Sequence, residues 1–214
     1  MTNSFDFFEN QDINFKNSPI IKERVSLIAS HMYKQFLDYQ KAAENTAEIF
    51  GQMTDCLEAV VDSLKQTFAS HGVVTQNIYL ETDSKKTVAV LTIFWQKFSF
   101  TTRCNYQPQA LYRENEQSVQ AGRIMAIKGN YNEIIKTAQS HEDEMKILLE
   151  EEIASLYVPD NKSSQAICKV RHLANREFYI PHIDAAREFS LKCIEVVCGN
   201  PIYHEEGVRK SFNI

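Results

Sequence analysis

The segment Phe178-Tyr179-Ile180-Pro181-His182-Ile183-Asp184 is where aromatic, imidazole and carboxylate groups meet at a helix start. A histidine and an aspartate in such a place can exchange protons with a substrate if a cavity receives them. Tyr179 and the single tryptophan, Trp95, would complete the pocket. His182 and Asp184 are therefore the candidates for catalysis. The competing reading is structural, because an acidic residue also suits the amino-terminal end of a helix dipole.

Other chemistries fit less well. His141-Glu142-Asp143-Glu144-Met145 begins like a zinc-protease helix, but the second histidine is replaced by Met145. One helix face then cannot supply two imidazoles to one metal. Cys168 with His172, or Cys193 with His182, would make a nucleophile pair only in an electropositive, accessible setting. No glycine-rich phosphate loop, nucleophile elbow or kinase motif occurs. The sequence thus points away from an enzyme, and neither a cofactor nor a metal is expected.

Charge suggests binding surfaces instead. Residues 141–152 hold six carboxylates against one lysine, with Glu142, Asp143, Glu144, Glu150 and Glu151 as an acidic docking face. Residues 162–176 carry Lys162, Lys169, Arg171 and Arg176 and no acid, and Lys169, Arg171 and Arg176 would form a basic patch able to follow a phosphate backbone. The overall charge of −5 argues against generic nucleic-acid binding. Five cysteines, an odd number with no CxxC pair, fit a reducing, cytoplasmic setting. The longest apolar run, Val88 to Trp95, is far too short to cross a bilayer, and the acidic Met1–Asp12 segment does not read as a signal peptide.

The elements that must position these groups are few and long. Glycine and proline together make 11 residues, which leaves little punctuation. Residues 1–17 read as an irregular arm with four phenylalanines. Ser18-Pro19 opens a helix, as N-cap and first-turn residue, and Gly72 closes it. Between them the apolar spacing alternates three and four, as in a coiled-coil seam. An unbroken helix of that length would reach roughly 80 Å at ~1.5 Å per residue, beyond the ~45 Å breadth of a compact domain this size. Phe36, Tyr39, Phe50, Met53, Leu57, Val60 and Leu64 are accordingly expected to form an oligomer interface.

After Gly72 the period changes to two. A hairpin is expected over residues 73–95, with Thr87–Trp95 as a strand covered on both faces. The alternation continues through Tyr106, a loop follows over 107–117, and Ser118–Lys128 is another strand. Residues 131–157 read as a second long helix, 165–180 as a strand, and Pro181 starts a last helix that ends near Gly199. The fold class is α+β: a long N-terminal helix, an antiparallel sheet of about four strands, and C-terminal helices on one face. Residues 18–200 would be one domain, with 18–72 its helical part, 73–200 the α+β body and 201–214 a loose tail.

The resulting expectation is a non-enzymatic interaction subunit, an adaptor, chaperone-like binder or scaffold, that works as a helix-mediated homo-oligomer on a protein partner and not on a membrane. The alternatives are a nucleic-acid-binding protein using residues 162–176, and a small enzyme or ligand-binding protein with its pocket near Tyr179–Asp184.

Overall fold

The computed structural model describes residues 18–103, 109–111, 119–171 and 176–198. The Phe-rich arm, the tail after Cys198, and His172 lie outside them. The chain forms two compact units, Met1–Leu37 and Asp38–Ile214, so the boundary falls within a helix.

That helix, α1, runs Pro19–Ser70. Gly51 sits inside it without a break, as a glycine costing only ~1 kcal/mol allows. The helix ends in a Schellman motif. Gly72 takes a φ of +75°, which only glycine adopts without penalty. The Gly72 N–H then donates to the Ala69 carbonyl at 2.9 Å, and the Val73 N–H to the Phe68 carbonyl at 3.0 Å.

In the second unit, α1 buries Ala42, Asn45, Thr46, Ile49, Phe50, Met53, Leu57 and Val61, one stripe at helical spacing. It lies on an antiparallel sheet of β1 (Ile78–Thr82), β2 (Val88–Ile93), β3 (Gln96–Thr101), β4 (Gln109–Leu111), β5 (Val119–Lys128), β6 (Glu152–Pro159), β7 (Ala166–Val170) and β8 (Arg176–Ile180). Seven strands follow the order β1-β2-β3-β5-β6-β7-β8, and β4 pairs with β5 off that path. The expectation of about four strands is therefore corrected to eight among the described residues. The shortfall has three sources. Gln109–Leu111, inside the loop expected over 107–117, is strand β4, held by pairing with β5. The helix expected over 131–157 stops early: α2 (Tyr131–Ile134) gives way to a short 3-10 turn, α3 (His141–Glu150) follows, and Glu152–Pro159 is strand β6. The single strand expected over 165–180 is two, β7 and β8.

Alternation along each strand divides the core. Ala89, Leu91, Phe98, Phe100, Ile124 and Ala126 face α1 and α4 (Ala185–Val197) in the main cluster. Their neighbours Val88, Val90, Met125 and Ile127 face the opposite side, under Tyr131 and Leu148 of α2 and α3. Helices thus cover both faces, whereas the sequence pattern suggests one, and β2 is buried at every position because it has a layer above and below.

Asp83 braces the β1–β2 connection. Its carboxylate accepts the Thr87 and Val88 N–H groups at 2.6 and 2.8 Å, the Thr87 hydroxyl at 2.9 Å and the Arg103 guanidinium at 2.9 Å. Burial alone would raise its pKa, but these donors, led by the Val88 and Thr87 amides, together hold it below the ordinary aspartate value. A folded-state pKa below the unfolded one adds stability that is fully present above pH ~4 and is lost as pH falls through the folded value. Thermal melts at a series of pH values should therefore show the wild type more stable than Asp83→Asn at neutral pH, with the gap closing below pH ~4.

Candidate functional site

Two surfaces stand out by what they leave uncovered. The first lies on α1 within the Met1–Leu37 unit. Ile20, Ile21, Val25, Leu27, Ile28, Met32, Tyr33, Phe36 and Leu37 are all exposed, with Met32 at 62% and Phe36 at 53%. Ile21, Val25, Ile28, Met32 and Phe36 follow spacings of four and three and share one side of the helix. A contiguous apolar stripe of this kind is unusual on a water-exposed helix, where apolar side chains are ordinarily scattered singly. No helix among the described residues is long and apolar enough to cross a membrane.

The second surface is an apolar cavity of about 540 Å³ at one end of the sheet, lined by Phe68, Val73, Ile93, Phe94, Trp95, Gln96 and Cys198. Its walls come from three local events. The Schellman stop of α1 brings Phe68 and Val73 to one side. The β2–β3 hairpin turns on two residues, Phe94 and Trp95, between the paired Ile93 and Gln96. The end of α4 supplies Cys198.

The turn is strained. Phe94 has a φ of +55°, which costs a bulky residue ~1–2 kcal/mol. Two-residue hairpins require such a torsion and normally place glycine or asparagine there. Aromatic packing offsets the strain: the Phe94 ring meets Phe68 edge-on at 4.9 Å and stacks on Trp95 at 5.9 Å. Pairs of this kind contribute ~0.5–1.5 kcal/mol each beyond their burial. Trp95 remains 84% exposed at the hairpin tip.

The residues expected to form a pocket are not gathered in this cavity. Trp95 lines it, but Tyr179, His182 and Asp184 do not. Tyr179 is exposed on β8, four strand steps from β3 in the sheet. His182 lies in the 3-10 turn before α4, with both ring nitrogens buried and without hydrogen-bond partners among the described residues. Burial, then the nearby Lys162 charge, lowers its pKa against the opposing pull of Glu48. Asp184 accepts a hydrogen bond from Arg187 at 2.8 Å. Burial pushes the Cys168 thiol up to about 12 and raises Cys193 well above the ordinary thiol value, so both are held protonated inside the core.

The expected oligomer seam divides in a similar way. Phe50, Met53 and Leu57 belong to the chain's own core, with Leu64 packed against it. Val61, not Val60, is the fully inward residue of that turn, because the stripe steps by four from Met53 to Leu57 to Val61. Tyr39 is half-buried and Phe36 is exposed.

The charged patches are tied into the fold. Glu142, Asp143 and Glu144 occupy the first turn of α3, a favourable position for acids, and the Ser140 hydroxyl caps the Asp143 N–H at 3.1 Å. Glu144 also accepts the Tyr131 hydroxyl at 2.7 Å. Glu142, Asp143, Glu150 and Glu151 are exposed. Lys169 pairs with Glu177 at 2.7 Å, Lys162 with Glu48 at 2.5 Å, and Arg171 donates to the Leu149 and Glu150 carbonyls. Arg176 opens β8 at the exposed end of its pairing with Val170. Among the described residues no group of three or more His, Cys, Asp or Glu is placed to hold a metal ion.

Sequence reading missed Phe68, Val73 and Phe94 as site residues. The signal available was an apolar run, Val88–Ile93, followed after a short centre by an alternating one, Phe98–Thr101. Comparison of the chain with protein-family models, curated proteins and solved structures gives no match.

Proposed function

We propose that this protein is a non-enzymatic interaction subunit that self-associates through the apolar side of α1 between Ile20 and Leu37. The carrying observation is the uncovered stripe of Ile21, Val25, Ile28, Met32 and Phe36. Spacings of three and four suit helix-to-helix packing, in which side chains of one helix enter the gaps of another. A second copy presents the same stripe, so a twofold pairing is self-complementary. Glu142 and Asp143 at the start of α3, and Glu150 and Glu151 at its end, are exposed in the subunit and offer an acidic face to a basic partner.

Light scattering across a range of protein concentrations tests this reading. The wild type is expected to have at least twice the monomer mass. The double substitution Ile28→Glu/Met32→Glu is expected to give a monomer with an unchanged circular dichroism spectrum, because both side chains are exposed. A monomeric wild type, or a variant of unchanged mass, would overturn it.

A further inference from the structure

The apolar cavity has a neighbour. A second cavity of about 240 Å³ is lined by Gln96, Lys128, Ile153, Val196 and Val197, so Gln96 borders both. Strand register explains the adjacency. Lys128 is the cross-strand partner of Phe98, which places its side chain on the α1/α4 face of the sheet, the same face as Gln96 two residues before Phe98.

The two spaces differ in chemistry. The larger has aromatic and aliphatic walls, with one amide and one thiol and no charged group among its described lining residues. The smaller has a cation, and Lys128 makes no ion pair among the described residues. A mainly apolar space with a few convergent polar groups is the usual form of a small-molecule site, and 540 Å³ lies within the usual range for one. A ligand matched to both spaces has an apolar body and one anionic end.

We propose that the two cavities form one binding site for a single-chain fatty carboxylate, with its chain against Phe68, Phe94 and Trp95 and its carboxylate at Lys128. Gln96 stands between them and can donate its amide to the head group. The charge-free larger cavity favours the chain, and the lysine selects an acid over the corresponding alcohol. This site is separate from the α1 stripe and stands whether or not the chain self-associates.

Trp95 is the only tryptophan in the chain, so its emission reports directly on the cavity. Full-length protein is titrated with decanoate and with 1-decanol, each below its aggregation limit. Decanoate is expected to change Trp95 emission saturably. Lys128→Ala should weaken decanoate about tenfold and leave decanol unchanged, as loss of one charge-assisted contact implies. Val73→Asp, at a position already 42% exposed, should abolish both responses while the thermal melt persists. A lysine that served only the carboxyl-terminal end of α4 would leave decanoate affinity untouched, and that result overturns the proposal. So do a decanoate titration without saturation, binding retained in Val73→Asp, and Trp95 emission that shifts with protein concentration alone, which would assign the cavity to a second copy.

Discussion

Gly122→Ala is expected to destabilise the fold by about 3 kcal/mol, at the upper end of what overpacking costs. Gly122 lies on β5 where α1 crosses it. A Cβ there would stand 2.0 Å from the Thr46 hydroxyl oxygen, 2.9 Å from the Thr46 Cβ and 3.1 Å from the Ala42 carbonyl oxygen. Rotating Thr46 would relieve the first contact only. The other two involve atoms fixed to the helix backbone, so α1 itself must shift. That shift would loosen Asn45, whose amide donates to the Pro159 and Asp160 carbonyls at 2.9 Å each. The denaturation midpoint in urea measures the effect. Adding Thr46→Ala should recover only part of the loss, since the Cβ contact and the carbonyl contact remain. An unchanged midpoint in Gly122→Ala would mean that α1 does not rest on β5 at this point.

The same crossing shows what could be read from residues alone. Ser18-Pro19 and Gly72 mark the ends of α1 because caps are local chemistry, carried by one or two side chains. The doubly covered run at Val88–Ile93 was legible from its composition: four of its six residues are β-branched, and its length suits a strand better than a helix. Strand β6 was hidden. Its residues Ile153, Ala154 and Leu156 continue a helical spacing from Leu148 and Leu149, and the strand is buried on both faces, so no alternation betrays it. Only pairing with β5 and β7 makes it a strand. The heptad seam misled in another way. A stripe at helical spacing looks the same whether a sheet or a second helix covers it, and α1 has sheet beneath Phe50, Met53 and Leu57 yet exposed apolar side chains at Ile28 and Met32. The cavity was invisible because its key turn, Phe94-Trp95, lacks glycine, asparagine and proline.

Arg123→Met should cost about 3–5 kcal/mol, the range for removing one partner of a buried ion pair. Arg123 is on β5, facing away from α1, with its side chain 8% exposed and that of Glu152 15% exposed. It donates to the Glu152 carboxylate at 2.7 Å and to the Ser155 hydroxyl at 2.8 Å, and its guanidinium lies 5.6 Å from the Tyr157 ring centre. The Ser155 hydroxyl in turn donates to Glu152. Methionine fills most of the space but leaves a carboxylate without its cation in a low-dielectric setting. The penalty thus comes from the stranded carboxylate more than from the missing guanidinium. The double variant Arg123→Met/Glu152→Gln separates the two, because glutamine keeps a carbonyl for Ser155 and carries no charge. It should be more stable than Arg123→Met alone by about 1–3 kcal/mol, a coupling readable in a double-mutant cycle by urea denaturation. Equal stability of the single and double variants would place the cost in packing against Tyr157. The predicted sign instead ties the β5–β6 centre of the sheet, the part that local sequence signals concealed, to one charge-matched pair.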